Sequence, residues 1–227
     1  MPEADTAAPV RCVAVFDLDG TLTWADTLLP YLLGYVARRP GRCLRLWQVP
    51  AALVGYLAGH RDRGRLKSRL IRAVMGGEPR MRVEAWSDAY VAALQRRHSF
   101  RQAALAMLES HRAAGDHLIL LSASPDLYVP RIGRLLGFER TICTEVEWRS
   151  DDRLDGALLT PNRRGEEKSK CLAVLRTQYP GTPVVAYGNS GSDLAHLCRA
   201  DRALLVNGNA RARRDALRMG VPVADWT

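Results

Sequence analysis

The chain has 227 residues, 47% of them hydrophobic and 25% charged. That composition excludes a disordered or fibrous polymer and allows one sizeable core, or a core with a smaller inserted domain. The formal net charge of +9 rests on 33 basic residues, nearly all arginine, and such a field draws anions: phosphorylated metabolites, anionic lipid surfaces or nucleic acid.

Residues 1–10 carry acids and prolines but no apolar run, so they read as a disordered leader rather than a signal peptide. The five cysteines (Cys12, Cys43, Cys143, Cys171, Cys198) are scattered and form no Cys-x-x-Cys pair. They give neither a disulfide framework nor a structural zinc site, and they fit a reducing compartment, so the expected location is the cytoplasm. Residues 11–16 predict the first strand, an apolar run that ends in Asp17-Leu-Asp19-Gly20-Thr21. Gly20 lets the backbone leave the sheet there and present both carboxylates beyond the strand's carboxyl end, where parallel α/β sheets bind ligands. Two crowded acids repel unless a cation or a shared proton relieves them, which implies a metal.

From Asp26 to about Arg101 helical periodicity dominates, with breaks at Pro40-Gly41, residues 60–64 and Gly76-Gly77. Four helices are predicted, over 27–38, 42–58, 65–75 and 82–97, with no strand between them. Within 44–58 the only charge is Arg45, and basic residues flank the stretch. At about fifteen residues it is too short to span a bilayer. It reads either as a helix lying in a lipid interface or as a buried helix packed on its neighbours.

After Arg101 strands and helices alternate. Helices are predicted over 102–114, from the Ser122–Asp126 segment to Leu136, over 165–178, from Asp193 to Arg199, and over 210–220. Strands are predicted over 117–121, 141–148, 153–159, 183–187, 203–206 and 221–223, with the second and third joined at residues 150–152 as a peripheral hairpin. Such alternation means a parallel sheet covered on both faces, a Rossmann-like α/β fold. Three strands then end alike, in Asp17/Asp19, Ser122 and Asn189/Asp193, and a right-handed parallel sheet brings those ends to one edge.

Each of these groups suits phosphoryl transfer. Asp17 can attack phosphorus, splitting one displacement into two. Asp19 can protonate the leaving oxygen and then activate water. Ser122 offers a hydroxyl, and the N–H groups of a helix starting just after it can cradle phosphate oxygens. Asp17, the Asp19 carbonyl and Asn189 are oxygen ligands of the kind Mg²⁺ prefers, with Asp193 anchoring the water around it. Lys168 supplies a fixed cation against transition-state charge, with Lys170 as its rival.

In order and spacing, Asp17-Leu-Asp19-Gly20-Thr21, Ser122, Lys168 and Gly188-Asn189-x-x-x-Asp193 resemble the four motifs of the haloacid-dehalogenase superfamily of phosphohydrolases. The likeness is greatest to its phosphoserine-phosphatase-like subfamily IB. The basic, apolar insert and Ser122-Ala-Ser-Pro look like the branch that includes phosphatidylglycerophosphatase C. The resemblance implies a catalytic core over 1–23 and 101–227 and an all-helical C1-type cap over 24–100 that selects the substrate. It implies Asp17 as nucleophile and Asp19 as acid/base, with Thr21, Ser122, Ala123 and Lys168 at the phosphate. Asp17, Asp19, Asn189 and Asp193 fall to the Mg²⁺ site. Asp26 falls where phosphoserine phosphatases hold a substrate-binding Glu, although a helix N-cap serves equally. Many family members have Asp at the position of Asn189, so one negative charge is missing here.

The implied substrate is a small phosphorylated metabolite or a lysophospholipid-like phosphate, with peripheral membrane contact through the cap. A phosphomutase would keep the same motifs, and a membrane-docking module without catalysis would not need them. Nucleic acid has only the net charge behind it, since no arginine–aromatic interleaving or recognition motif occurs.

Overall fold

The computed structural model describes residues 11–45 and 62–227. The predicted leader and most of the predicted helix over 42–58, including the apolar stretch, lie outside the described residues. Among the described residues no helix is long and apolar enough to cross a membrane.

Val13–Phe16 (β1) is wholly buried, as an uninterrupted apolar tetrad requires. It pairs in parallel with His117–Pro125 (β2) on one side and Val184–Gly188 (β6) on the other. Arg140–Thr144 (β3), Arg202–Val206 (β7) and Val223–Ala224 (β8) complete a six-stranded parallel sheet of order β3-β2-β1-β6-β7-β8. Alternate residues face opposite layers. Val13, Val15, Ile119, Leu121, Val184 and Ala186 pack with Cys171, Leu172 and Leu175 of the helix Glu166–Gln178. Ala14, Phe16, Leu118, Leu120, Val185 and Tyr187 pack on the other face.

That second layer runs without a break into the helical segment. Leu28–Arg38 (α1), Arg63–Met75 (α2) and Arg80–Arg96 (α3) are joined to it through Tyr31, Tyr35, Ile71, Met75, Trp86 and Tyr90. Tyr31 stands 4.6 Å, centroid to centroid, from Tyr128 and 5.2 Å from Tyr90. The α2 helix begins two residues before its predicted start because the Asp62 carboxylate accepts the N–H groups of Gly64 and Arg65. The remaining helices are Gln102–Ala113 (α4), Val129–Leu135 (α5), Glu166–Gln178 (α6), Leu194–Leu197 (α7) and Ala210–Arg218 (α8).

Two expectations are corrected. The predicted strand over 141–148 is two strands. β3 lies in the main sheet, while Val146–Trp148 (β4) pairs antiparallel with Leu154–Leu158 (β5) as a separate ribbon. Both halves are extended, so periodicity cannot register the change of sheet. Side chains hold it: Thr144 Oγ1 donates to Ala123 O at 2.7 Å, and Glu145 N–H donates to Thr160 Oγ1 at 2.9 Å. The ribbon is not peripheral. It docks on the helical segment, where Gly77 and Leu154, then Leu154 and Glu78, exchange backbone bonds of 2.8 and 2.9 Å. At Gly156, with φ +90°, a Cβ would lie 2.8 Å from the Arg72 backbone nitrogen, so α2 crosses β5 at a distance that leaves room for no side chain.

The second correction concerns the chain after Ser122. It stays extended through Pro125, and α5 starts only at Val129, so no helix start follows Ser122. Proline disfavours helical backbone in the residue before it, here Ser124, and has no N–H of its own.

Candidate active site

Asp17 stands where β1 ends, its N–H donating to Tyr187 O of β6 at 3.0 Å. The chain then turns through Leu18–Leu22, closed by Thr23 N–H onto Leu18 O at 3.0 Å. Gly20 has φ +81°, and a Cβ there would fall 2.0 Å from Asn189 Nδ2. Only a residue without a side chain lets this turn lie against the end of β6.

Lys168, in the first turn of α6, reaches beneath both ends. Its ammonium donates to Asp17 Oδ1 at 2.6 Å and to Asp193 Oδ1 at 2.7 Å, and all three residues are buried. Lys170 instead lies exposed and pairs with Glu167. The other Asp193 oxygen accepts from Ser190 Oγ at 2.6 Å and from the N–H groups of Ser190 and Asn189 at 3.0 and 3.3 Å. Burial opposes ionisation of Asp193, but the Lys168 ammonium prevails and holds its carboxyl well below the ordinary range. At Asp17 burial prevails: its carboxyl is raised, Lys168 pulls it back, and the charges of Asp193 and Asp19 add to the rise. His196 is buried behind Asp193, and burial together with Lys168 brings it down to about 3, so it is neutral at physiological pH.

Asp19 is held by three donors. Its Oδ1 accepts Thr27 N–H at 2.8 Å and Thr27 Oγ1 at 2.6 Å, and its Oδ2 accepts Ser124 Oγ at 2.6 Å. Burial and the Asp26 charge raise its carboxyl, against those hydrogen bonds. A raised carboxyl with hydroxyl partners, which accept as well as donate, can hold a proton or release it.

These groups open on a cavity of about 520 Å³. Of the residues expected from the sequence, Asp17, Asp19, Asp26, Ala123, Lys168, Asn189 and Asp193 line it. Ser122 and Thr21 are not among the residues that line it. Ser122 is wholly buried and accepts Ser124 N–H at 3.0 Å, while Thr21, also buried, donates to Asp17 Oδ2 at 3.2 Å. Both brace the residues that face the cavity. Asp26 also caps α1, accepting the N–H groups of Leu28 and Leu29 at 3.0 and 3.1 Å.

Sequence reasoning passed over Ser124, Thr27, Lys67, Asn162 and Arg164. For Lys67 a signal was available: it is one of only three lysines in an arginine-rich chain.

Among the described residues no group of three His, Cys, Asp or Glu could hold a metal. Asp17 and the Asn189 amide nevertheless face one cavity, and Asn189 lies against the Asp19–Gly20 backbone. With the Asp19 carbonyl and water this makes an oxygen set with one carboxylate, which fits Mg²⁺ rather than a nitrogen- or sulfur-seeking ion. Asp193 lines the same cavity, with Lys168 on one oxygen and Ser190 on the other.

Residues 14–197 match the family of haloacid dehalogenase-like hydrolases. Protein CicA of Caulobacter vibrioides is 30% identical over 197 residues, covering 83% of each chain. A histidinol-phosphatase of Neisseria meningitidis is 25% identical over 127 residues, covering 53% of this chain and 56% of its own. Among solved structures, a protein of unknown function from Bordetella pertussis Tohama I superimposes with a TM-score of 0.78 at 23% identity, over 95% of this chain and 99% of its own. A phosphoserine phosphatase solved as a phospho-aspartyl intermediate analogue gives 0.64 at 14% identity, over 94% and 92%. These structural likenesses are of fold.

Proposed function

Because this chain belongs to the haloacid dehalogenase-like hydrolases, we propose that it is a Mg²⁺-dependent phosphatase acting on phosphomonoesters through an aspartyl-phosphate on Asp17. The observation that carries the reading is Lys168, buried between Asp17 and Asp193 under a cavity that Asp19 also lines. The phosphatase names of the Neisseria relative and of the phosphoserine phosphatase support it. In this reading residues 24–100 form the substrate-selecting cap. The chain sits with the phosphoserine-phosphatase-like subfamily IB, in the branch resembling phosphatidylglycerophosphatase C.

An Asp17 carboxylate oxygen attacks phosphorus as the bond to the leaving oxygen breaks. The proton on Asp19 passes to that oxygen, and the alcohol departs. Asp19, now a carboxylate, takes a proton from water as the water attacks the phosphoryl group, and phosphate leaves with both aspartates restored. Lys168 favours the ionised form of Asp17 against burial, holds it in place, and offers its charge to the phosphoryl oxygens. Thr27 and Ser124 keep Asp19 in place through both proton transfers. When bound by Asp17, the Asp19 carbonyl and Asn189, Mg²⁺ offsets the negative charge that the phosphate brings.

The test is hydrolysis of p-nitrophenyl phosphate with Mg²⁺. Activity that EDTA removes, and that Asp17→Asn lowers by about a thousandfold or more, is expected for a lost nucleophile. Full activity in Asp17→Asn would end the assignment.

A further inference from the structure

Part of the cavity lining is basic and apolar, and its residues come from distant places in the chain. Arg63, Leu66, Lys67 and Leu70 of α2 line it, spaced so that they share one helical face. The loop before α6 adds Asn162 and Arg164. Lys67 is the focus. Its ammonium donates to Ala123 O and, at 2.7 Å, to Asn162 Oδ1. Both partners are neutral, so a half-buried cation faces the cavity with no carboxylate bonded to it among the described residues. Burial brings Lys67 down to about 8, against the attraction of Asp19 and Asp26.

The carboxylates nearby are otherwise engaged: Asp26 by the start of α1, Asp19 by Thr27 and Ser124, Asp17 and Asp193 by Lys168. An ammonium has three donors, and Lys67 uses two among the described residues. A desolvated cation without a bonded anion is costly, and an anionic ligand group offsets that cost. The cavity volume also exceeds what a phosphate group alone would fill.

We propose that this site selects phosphomonoesters whose leaving group carries a second anion, a carboxylate or a further phosphate, received by Lys67 on the basic wall. The proposal rests on the phosphatase reading for the position of the first phosphate. It makes Lys67 a specificity-determining residue and sets the preferred substrates apart from those with neutral or cationic arms.

Hydrolysis-resistant phosphonates test it. Wild-type protein with Mg²⁺ is titrated by calorimetry with 3-phosphonopropionate, propylphosphonate and 3-aminopropylphosphonate, and with the matching five-carbon trio. The carboxylate member is expected to bind about tenfold tighter than the methyl member in at least one trio, a ratio that one desolvated charge pair readily supplies. The amine should bind weakest, and Lys67→Met should bring the carboxylate advantage below about threefold. Carboxylate and methyl members within about threefold of each other in both trios, or an amine that binds tightest, overturn the proposal. So does a Lys67→Met protein that weakens all members alike, since Lys67 would then hold the first phosphate. Hydrolysis of p-nitrophenyl phosphate is read alongside: turnover without a carboxylate preference sinks this inference alone, and a preference without turnover sinks the phosphatase reading alone.

Discussion

Gly20 shows how much one residue decides. Its φ of +81° belongs to the left-handed region, and the space where a Cβ would stand is filled by the Asn189 amide. Gly20→Ala therefore strains the turn and pushes aside a proposed Mg²⁺ ligand. Denaturant unfolding should show a loss of about 1–3 kcal/mol. A Mg²⁺ titration of activity should show half-activation moved up several-fold, and an unchanged requirement would disprove Asn189's role. That Asp17, Asp19, Lys168, Asn189 and Asp193 meet at one cavity was legible from the sequence, because each sits in a short motif at a strand or helix end. Ser124 and Lys67 were not, because what defines them is a partner 105 residues away for Ser124 and 95 away for Lys67. The sequence shows the Ser122 hydroxyl near a strand end but not that it turns onto the Ser124 N–H.

At the scale of elements, the helical segment is anchored through Glu78. This buried carboxylate pairs with Arg42 and with Arg82 at 2.8 Å, while its backbone accepts Leu154 N–H from the ribbon. Burial pushes the carboxyl up, and Arg82 and Arg42 more than reverse this, leaving it below the ordinary range. Glu78→Ala should cost about 2–4 kcal/mol near neutral pH, since it removes the shared partner of two arginines. The sign with pH follows from the depressed carboxyl. Its contribution is complete above the unfolded value and fades as pH falls through the lower folded one. Urea unfolding at pH 7 and pH 3 should thus show the gap between wild type and variant narrowing in acid. The helices α1, α2 and α3 were legible from their 3.6-residue periodicity. The split of 141–148 between two sheets was not, because the alternation of side chains is the same in either sheet.

For the whole molecule, the order β3-β2-β1-β6-β7-β8 puts β1 between two strands, with both faces covered. Its amides should exchange only by global unfolding, and those of β8 and the β4–β5 ribbon by local opening. Hydrogen-exchange mass spectrometry should therefore find the slowest exchange in residues 13–16, 118–121 and 184–187; faster exchange there than in the ribbon would contradict this layering. The continuous apolar layer from Phe16 and Tyr187 to Tyr31 and Trp86 means that sheet and helical segment share one core. By itself the sequence determined the parallel α/β architecture, the strand-end chemistry and the place of the helical insert. Those depend on local apolar periods and on turn residues that act on their own neighbours. Only the tertiary structure decided which hydroxyls face the cavity, that the ribbon grips the insert, and that Lys67 lines the same cavity as Asp17. Each of these is a meeting of side chains from distant segments, and sequence spacing carries no record of the direction in which a side chain points once the layers have packed.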